Sequence, residues 1–104
     1  MPPAVILCAT PDRRAAERIA RVLLERRLAG CVSFVGGAVS LYRWKGRIER
    51  AKEGLLIIKT TEKNFIQVKK AIEANHPYEV PEILCLPVKR GSAAYLKWLA
   101  NALK

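Results

Sequence analysis

Hydrophobic and polar positions divide this chain into seven stretches. Residues 4–9 read AVILCA, an apolar run without alternation, and predict a strand covered on both faces. Thr10-Pro11-Asp12 follows, with Thr10 the expected N-cap and Pro11 the expected first helical residue. Ala16, Ile19, Ala20 and Leu23 then recur at helical spacing, and Gly30 is the expected stop. Residues 31–44, CVSFVGGAVSLYRW, predict a strand with a bulge or bend at Gly36-Gly37. A turn around Gly46 leads into a strand that begins charged and alternating at Arg47. It becomes wholly apolar at residues 55–58, so it runs from a solvated hairpin tip into a buried sheet centre. Phe65, Val68 and Ile72 mark one face of a second helix. His76-Pro77 ends it, because a residue before proline is pushed out of the helical region. Residues 82–90 predict a fourth strand, at a sheet edge or bulged because Pro87 cannot donate to a ladder. Ser92 caps a closing helix whose Tyr95, Leu99 and Ala102 face inward.

The order is β-α-β-β-α-β with a terminal helix. Right-handed crossovers turn it into one antiparallel sheet with both main helices on one face. The expected class is α+β: a ferredoxin-like βαββαβ subunit with a C-terminal helix and a long hairpin between its second and third strands. Residues 1–104 are expected to form a single domain. Tyr42 and Trp44 share one side of the second strand, and Val39 and Leu41 share the other. A strand apolar on both sides in so small a chain predicts that another subunit covers it.

Composition narrows the picture. The chain has 104 residues, 51% of them hydrophobic, enough for one modest core. No apolar run approaches the roughly 20 residues needed to span a bilayer. The first residues lack a basic segment and a cleavage pattern, so a cytoplasmic protein is expected. Three widely spaced cysteines, Cys8, Cys31 and Cys85, argue against a disulfide framework and read as small buried hydrophobes. The net charge is +10, which raises nucleic acid as a partner. The bases are interspersed with acids, and Glu17 and Arg21 are spaced for an i,i+4 pair, so a solvated basic surface is the expected reading.

CATPD, LAGCV, GAVSLYRWKGRIE, LLIIKTT, HPYEVPEI and SAAYLKWL stand in an order and spacing that resemble the CutA divalent-cation-tolerance family, from about Val5 to Leu103. The resemblance implies a tight homotrimer in which the long hairpin and the fourth strand pair across subunits. It also implies copper(II) or other divalent ions as ligands in some members, and no assigned reaction. By resemblance, Cys8 and His76 match ligands that some members use. The chain departs from the family in three ways. Gly36 stands where a proline is common, Asn75 replaces the first of two histidines, and the charge is unusually basic.

His76, the only histidine, therefore has two readings. It ends a helix beside Pro77 while Tyr78, Val80 and Pro81 pack at a subunit contact. Alternatively it pairs with Cys8 as a weak copper(II) site, since imidazole and thiolate suit copper and zinc. Two ligands do not close a site, and Glu79, Glu82 or Cys31 would have to add to them. A cleft at the subunit boundary, lined by Tyr42, Trp44, Lys59, Tyr78 and Glu79, offers a regulatory small-molecule site by analogy of fold. Nucleic-acid binding is expected to be weak and non-specific, because the central strands AVILCA and GLLIIKT carry no stacking aromatics. Catalysis is not expected: there is no Ser/His/Asp set, phosphate loop or HExxH motif.

Overall fold

The computed structural model describes residues 2–104. Its elements are β1 (Pro3–Thr10), α1 (Arg13–Glu25), β2 (Cys31–Trp44), β3 (Arg47–Thr61), a single 3-10 turn (Glu62–Asn64), α2 (Phe65–Asn75), β4 (Leu84–Pro87) and α3 (Ala93–Ala102). The strands form one sheet in the order β2-β3-β1-β4, antiparallel throughout. That is the expected α+β, ferredoxin-like topology. Pro87 sits in the edge strand, where its missing donor costs nothing.

Period-two burial shows which face holds the core. Ala4, Ile6, Cys8 and Thr10 of β1 and Leu56, Ile58 and Thr60 of β3 are buried. Ile6, Cys8, Leu56 and Ile58 pack against Ile19 and Leu23 of α1 and Val68 and Ile72 of α2. The intervening residues turn to the opposite face. Cross-strand register aligns Val5 with Lys59 and Leu86, Leu7 with Ile57 and Leu84, and Cys31 with Lys59 on that side. Val35, Leu84 and Leu86 are exposed there. The uninterrupted apolar run of β1 thus has α1 and α2 over one face, while Val5, Leu7 and Ala9 on the other are half-buried.

Beyond the body, β2 and β3 continue as a two-stranded arm. The register shifts between Val35 and Ala38, so Gly36-Gly37 is the expected bulge. Lys45 (φ 50°) and Gly46 (φ 77°) make the tip turn in the left-handed region. At the arm's root, a Cβ added to Gly54 would meet Phe34 Cε1 at 2.1 Å. Only glycine lets the Phe34 ring cross β3 there.

Several local expectations are corrected. Asp12, not Thr10, caps α1: its Oδ1 accepts the Ala15 amide at 2.9 Å, while Thr10 is the last, buried residue of β1. α1 ends at Glu25, and Arg27 (φ 55°) takes the left-handed position expected of a glycine. Gly30 serves close packing instead, since a Cβ there would come within 2.6 Å of Leu99 Cδ1. The Glu17–Arg21 pair does not form; among the described residues the ion pair is Lys69–Glu73. β4 is shorter than expected, and Tyr95 is exposed rather than inward-facing.

Candidate functional site

His76 caps α2 in extended conformation (φ −95°, ψ 136°), as its place before Pro77 requires. Arg18 of α1 fixes this point from the other helix: its Nε and Nη2 both donate to the Asn75 carbonyl, at 3.2 and 2.9 Å. The chain then turns, and the Tyr78 amide donates to His76 Nδ1 at 3.0 Å. Because Nδ1 accepts, the ring's proton sits on Nε2, which donates to the Ala9 carbonyl at 2.8 Å. The ring is nine-tenths buried and both nitrogens are engaged.

Cys8 converges on the same carbonyl. Its Sγ lies 3.7 Å from Ala9 O, and the residue is fully buried. Burial pushes its thiol up to about 12, with the negative charges of Glu82 and Glu53 adding to the effect. The structure therefore brings Cys8 and His76 together around one carbonyl oxygen, as a neutral thiol and a neutral imidazole. Cys31 lies elsewhere, on the open face of the sheet with Lys59 Nζ 3.7 Å from its Sγ. Among the described residues no three His, Cys, Asp or Glu side chains group closely enough to hold a metal ion.

Next to this pair a cleft of about 810 Å³ opens between the arm and loop 77–82. Tyr42, Trp44, Tyr78 and Glu79, four of the five residues named from the sequence, line it. Lys59 does not: it points to the open sheet face and donates to Ser33 Oγ at 2.6 Å. Sequence reasoning missed Glu53, the residue that ties the cleft together. Its Oε2 accepts the Tyr78 hydroxyl at 2.6 Å. Burial and this hydrogen bond raise the Tyr78 phenol well above its ordinary value, so it remains a donor. Glu53 lies in the alternating charged run RIERAKE, and only the pairing of Ala38 with Glu53 just beyond the bulge marks it as the arm's root.

The sequence model described as CutA1 divalent ion tolerance protein matches residues 4–102. The divalent-cation tolerance protein CutA of Thermus thermophilus is 45% identical over 91% of this chain and 92% of its own. CutA from Xylella fastidiosa superposes with a TM-score of 0.96 at 38% identity, covering all of both chains. The structure described as the periplasmic divalent cation tolerance protein CutA from Archaeoglobus fulgidus superposes with a TM-score of 0.95 at 35% identity, over 98% of this chain and 99% of that one. No helix among the described residues is long and apolar enough to cross a membrane. With the family model matching residues 4–102 and the superpositions running along nearly the whole chain, the chain belongs to the CutA1 divalent ion tolerance family.

Proposed function

We propose that this chain is a homotrimeric, non-catalytic divalent-cation-tolerance protein that takes up copper weakly through Cys8 and His76. The observation that carries the reading is their convergence on the Ala9 carbonyl, with Nε2 at 2.8 Å and Sγ at 3.7 Å. A soft nitrogen–sulfur donor pair beside a carbonyl oxygen suits copper. Entry of the ion costs the thiol its proton and His76 its bond to Ala9. Occupancy is therefore weak near neutral pH and improves as the pH rises.

Assembly is supported by the open sheet face and by the arm, whose Val39, Leu41, Tyr42, Trp44 and Ile48 are all exposed in the single subunit. An isolated two-stranded ribbon is marginal in water, so a neighbouring chain is the natural cover. Three free thiols favour a reducing compartment, and we place the protein in the cytoplasm.

Sedimentation and copper dialysis on the same samples test both halves. Wild type sediments as a trimer at micromolar concentration. Trp44→Ala dissociates on dilution yet still binds copper, while His76→Ala remains trimeric and loses copper. A monomeric wild type removes the assembly reading, and unchanged copper uptake by His76→Ala removes the ligand pair.

A further inference from the structure

A second cleft, of about 500 Å³, lies where the end of α1, the start of α2 and the end of α3 meet. Arg26 and Arg27, from the loop after α1, line it together with Lys63 of the 3-10 turn and Gln67 of α2. No Asp or Glu side chain lines it, and among the described residues the ion pair is Lys69–Glu73, so none of these three bases is paired. The arm's apolar residues take no part in it. Loop 26–30 and the 3-10 turn flank the start of β2 and the end of β3, whereas the arm lies at the far end of the same strands, past the register shift between Val35 and Ala38. Assembly through the arm and the open sheet face leaves this cleft free.

Two of its bases stand where another residue would serve the fold better. The Leu28 amide donates to the Leu23 carbonyl at 2.8 Å and the Arg27 amide to the Leu24 carbonyl at 3.1 Å, which closes α1 as a Schellman motif with Arg27 in the position usually given to glycine. Arg27 holds φ 55°, a conformation that glycine takes without steric cost. Lys63 comes just before α2, at the helix end where the macrodipole disfavours a cation. Local stability thus explains neither base, yet both line one cleft. Their frame is fixed: the Thr60 hydroxyl donates to the Leu28 carbonyl at 2.6 Å, and Asn64 Nδ2 donates to the same oxygen at 3.4 Å, tying the loop to the turn. Cations gathered without a counter-charge repel one another until an anion neutralises them.

The lining selects among ligand classes. A cation would meet three like charges, and an apolar molecule would cover them without neutralising them. No aromatic ring lines the cleft, so it offers a nucleobase no stacking platform. Its volume lies within the range of small-molecule sites, roughly 300–1,000 Å³. Guanidinium groups present forked N–H donors that match phosphate oxygens in pairs. The bases come from two separate elements, and a tetrahedral phosphate offers oxygens on several sides, where a carboxylate offers two in one plane.

We propose that this cleft binds a small, multiply charged phosphate anion, held by Arg26, Arg27 and Lys63. The residues and the sign of the ligand differ from those of the copper pair, so the two readings stand or fall separately.

Calorimetric titration of the full-length protein with pyrophosphate, at a low and a high chloride concentration, tests it. Pyrophosphate binds, and more weakly at high salt. Arg27→Gly melts no lower than the wild type, because glycine relieves the left-handed backbone, yet it loses about tenfold in pyrophosphate affinity, the effect of one lost charge-assisted hydrogen bond. Lys63→Gln loses affinity severalfold. Lys70→Gln, which removes an equal charge from an exposed position of α2 outside the cleft, keeps the wild-type affinity. Absence of pyrophosphate binding overturns the proposal, as does unaltered affinity in Arg27→Gly. An equal loss in Lys70→Gln also overturns it, because net charge and not the cleft would then hold the anion. So does binding of single-stranded RNA in place of pyrophosphate, which would make these bases part of an open polyanion surface.

Discussion

The body and the arm are made from the same two strands, yet they differ in almost every physical respect. In the body half of β3, Gly54, Leu56, Ile58 and Thr60 are buried at every second position; in the arm half, from Arg47 to Glu53, none is. The body half reads LLIIKTT and has two helices over it. The arm half reads RIERAKE, alternates, and has nothing over it. The arm's apolar residues, Leu41 at 69% exposure and Ile48 at 72%, are not core residues of this chain. Hydrophobicity alone does not make a core; a packed partner does.

The largest effect that sharpens this contrast comes from paired truncations. Leu56→Ala, at a fully buried site, lowers subunit stability by about 2–5 kcal/mol through lost transfer energy and the cavity left behind. Leu41→Ala changes it by no more than about 0.5 kcal/mol. Both are measured by urea unfolding in the dissociated Trp44→Ala background, so that assembly does not contribute. Similar losses for the two would show that the arm has its own core.

A second difference is chemical. The body holds Cys8 protonated, its thiol raised from 9.0 to about 12 by burial. The fold binds this proton more tightly than the unfolded chain does. The stability it contributes is complete below pH 9 and is lost as the pH climbs toward 12, at about 1.4 kcal/mol per unit. Unfolding of wild type and Cys8→Ala at pH 8 and pH 11 isolates it: the wild type loses its advantage between the two, and the variant shows no such step. A parallel decline in both proteins would mean that the thiol is not sequestered.

The body was legible in the sequence and the site was not. Helical periodicity located both main helices, while unbroken apolar runs located β1 and the body half of β3, and the glycine pair located the bulge at Gly36-Gly37. The exact ends depended on competition among side chains. Asp12 caps α1 because Thr10 is already paired with Gly54 in the sheet, and Gly30 is conspicuous for Leu99 packing on it, not for ending a helix. Site residues meet only through tertiary register. Lys59 and Glu53 lie on one strand, six residues apart and on the same side, yet one joins Ser33 on the open face and the other joins Tyr78 beside the arm. Twist and the bulge separate them, and neither is written in the local pattern. Cys8 and His76 could be paired only through family resemblance, since they stand 68 residues apart and the contact forms around a backbone carbonyl of β1.

The smallest expected effect lies where body and arm join. Tyr78 belongs to the loop that follows α2, and Glu53 belongs to the root of the arm, so their 2.6 Å hydrogen bond links the two regions directly. A neutral donor to a charged acceptor is worth roughly 1.5–3 kcal/mol where water is excluded. Tyr78 is only half-buried, so Tyr78→Phe is expected to cost about 1 kcal/mol. The phenol is raised above its ordinary 10.0 by burial and by Glu53, so the fold again favours the protonated form. The difference between wild type and Tyr78→Phe is therefore full below pH 10 and shrinks above it. Hydrogen exchange distinguishes a local link from a global one. Amides near Glu53 and in loop 77–82 exchange faster in Tyr78→Phe, while those of β1 and of residues 55–60 keep wild-type rates. Faster exchange throughout the sheet would mean that arm and body unfold as one unit, and the contrast between them would fail at its narrowest point.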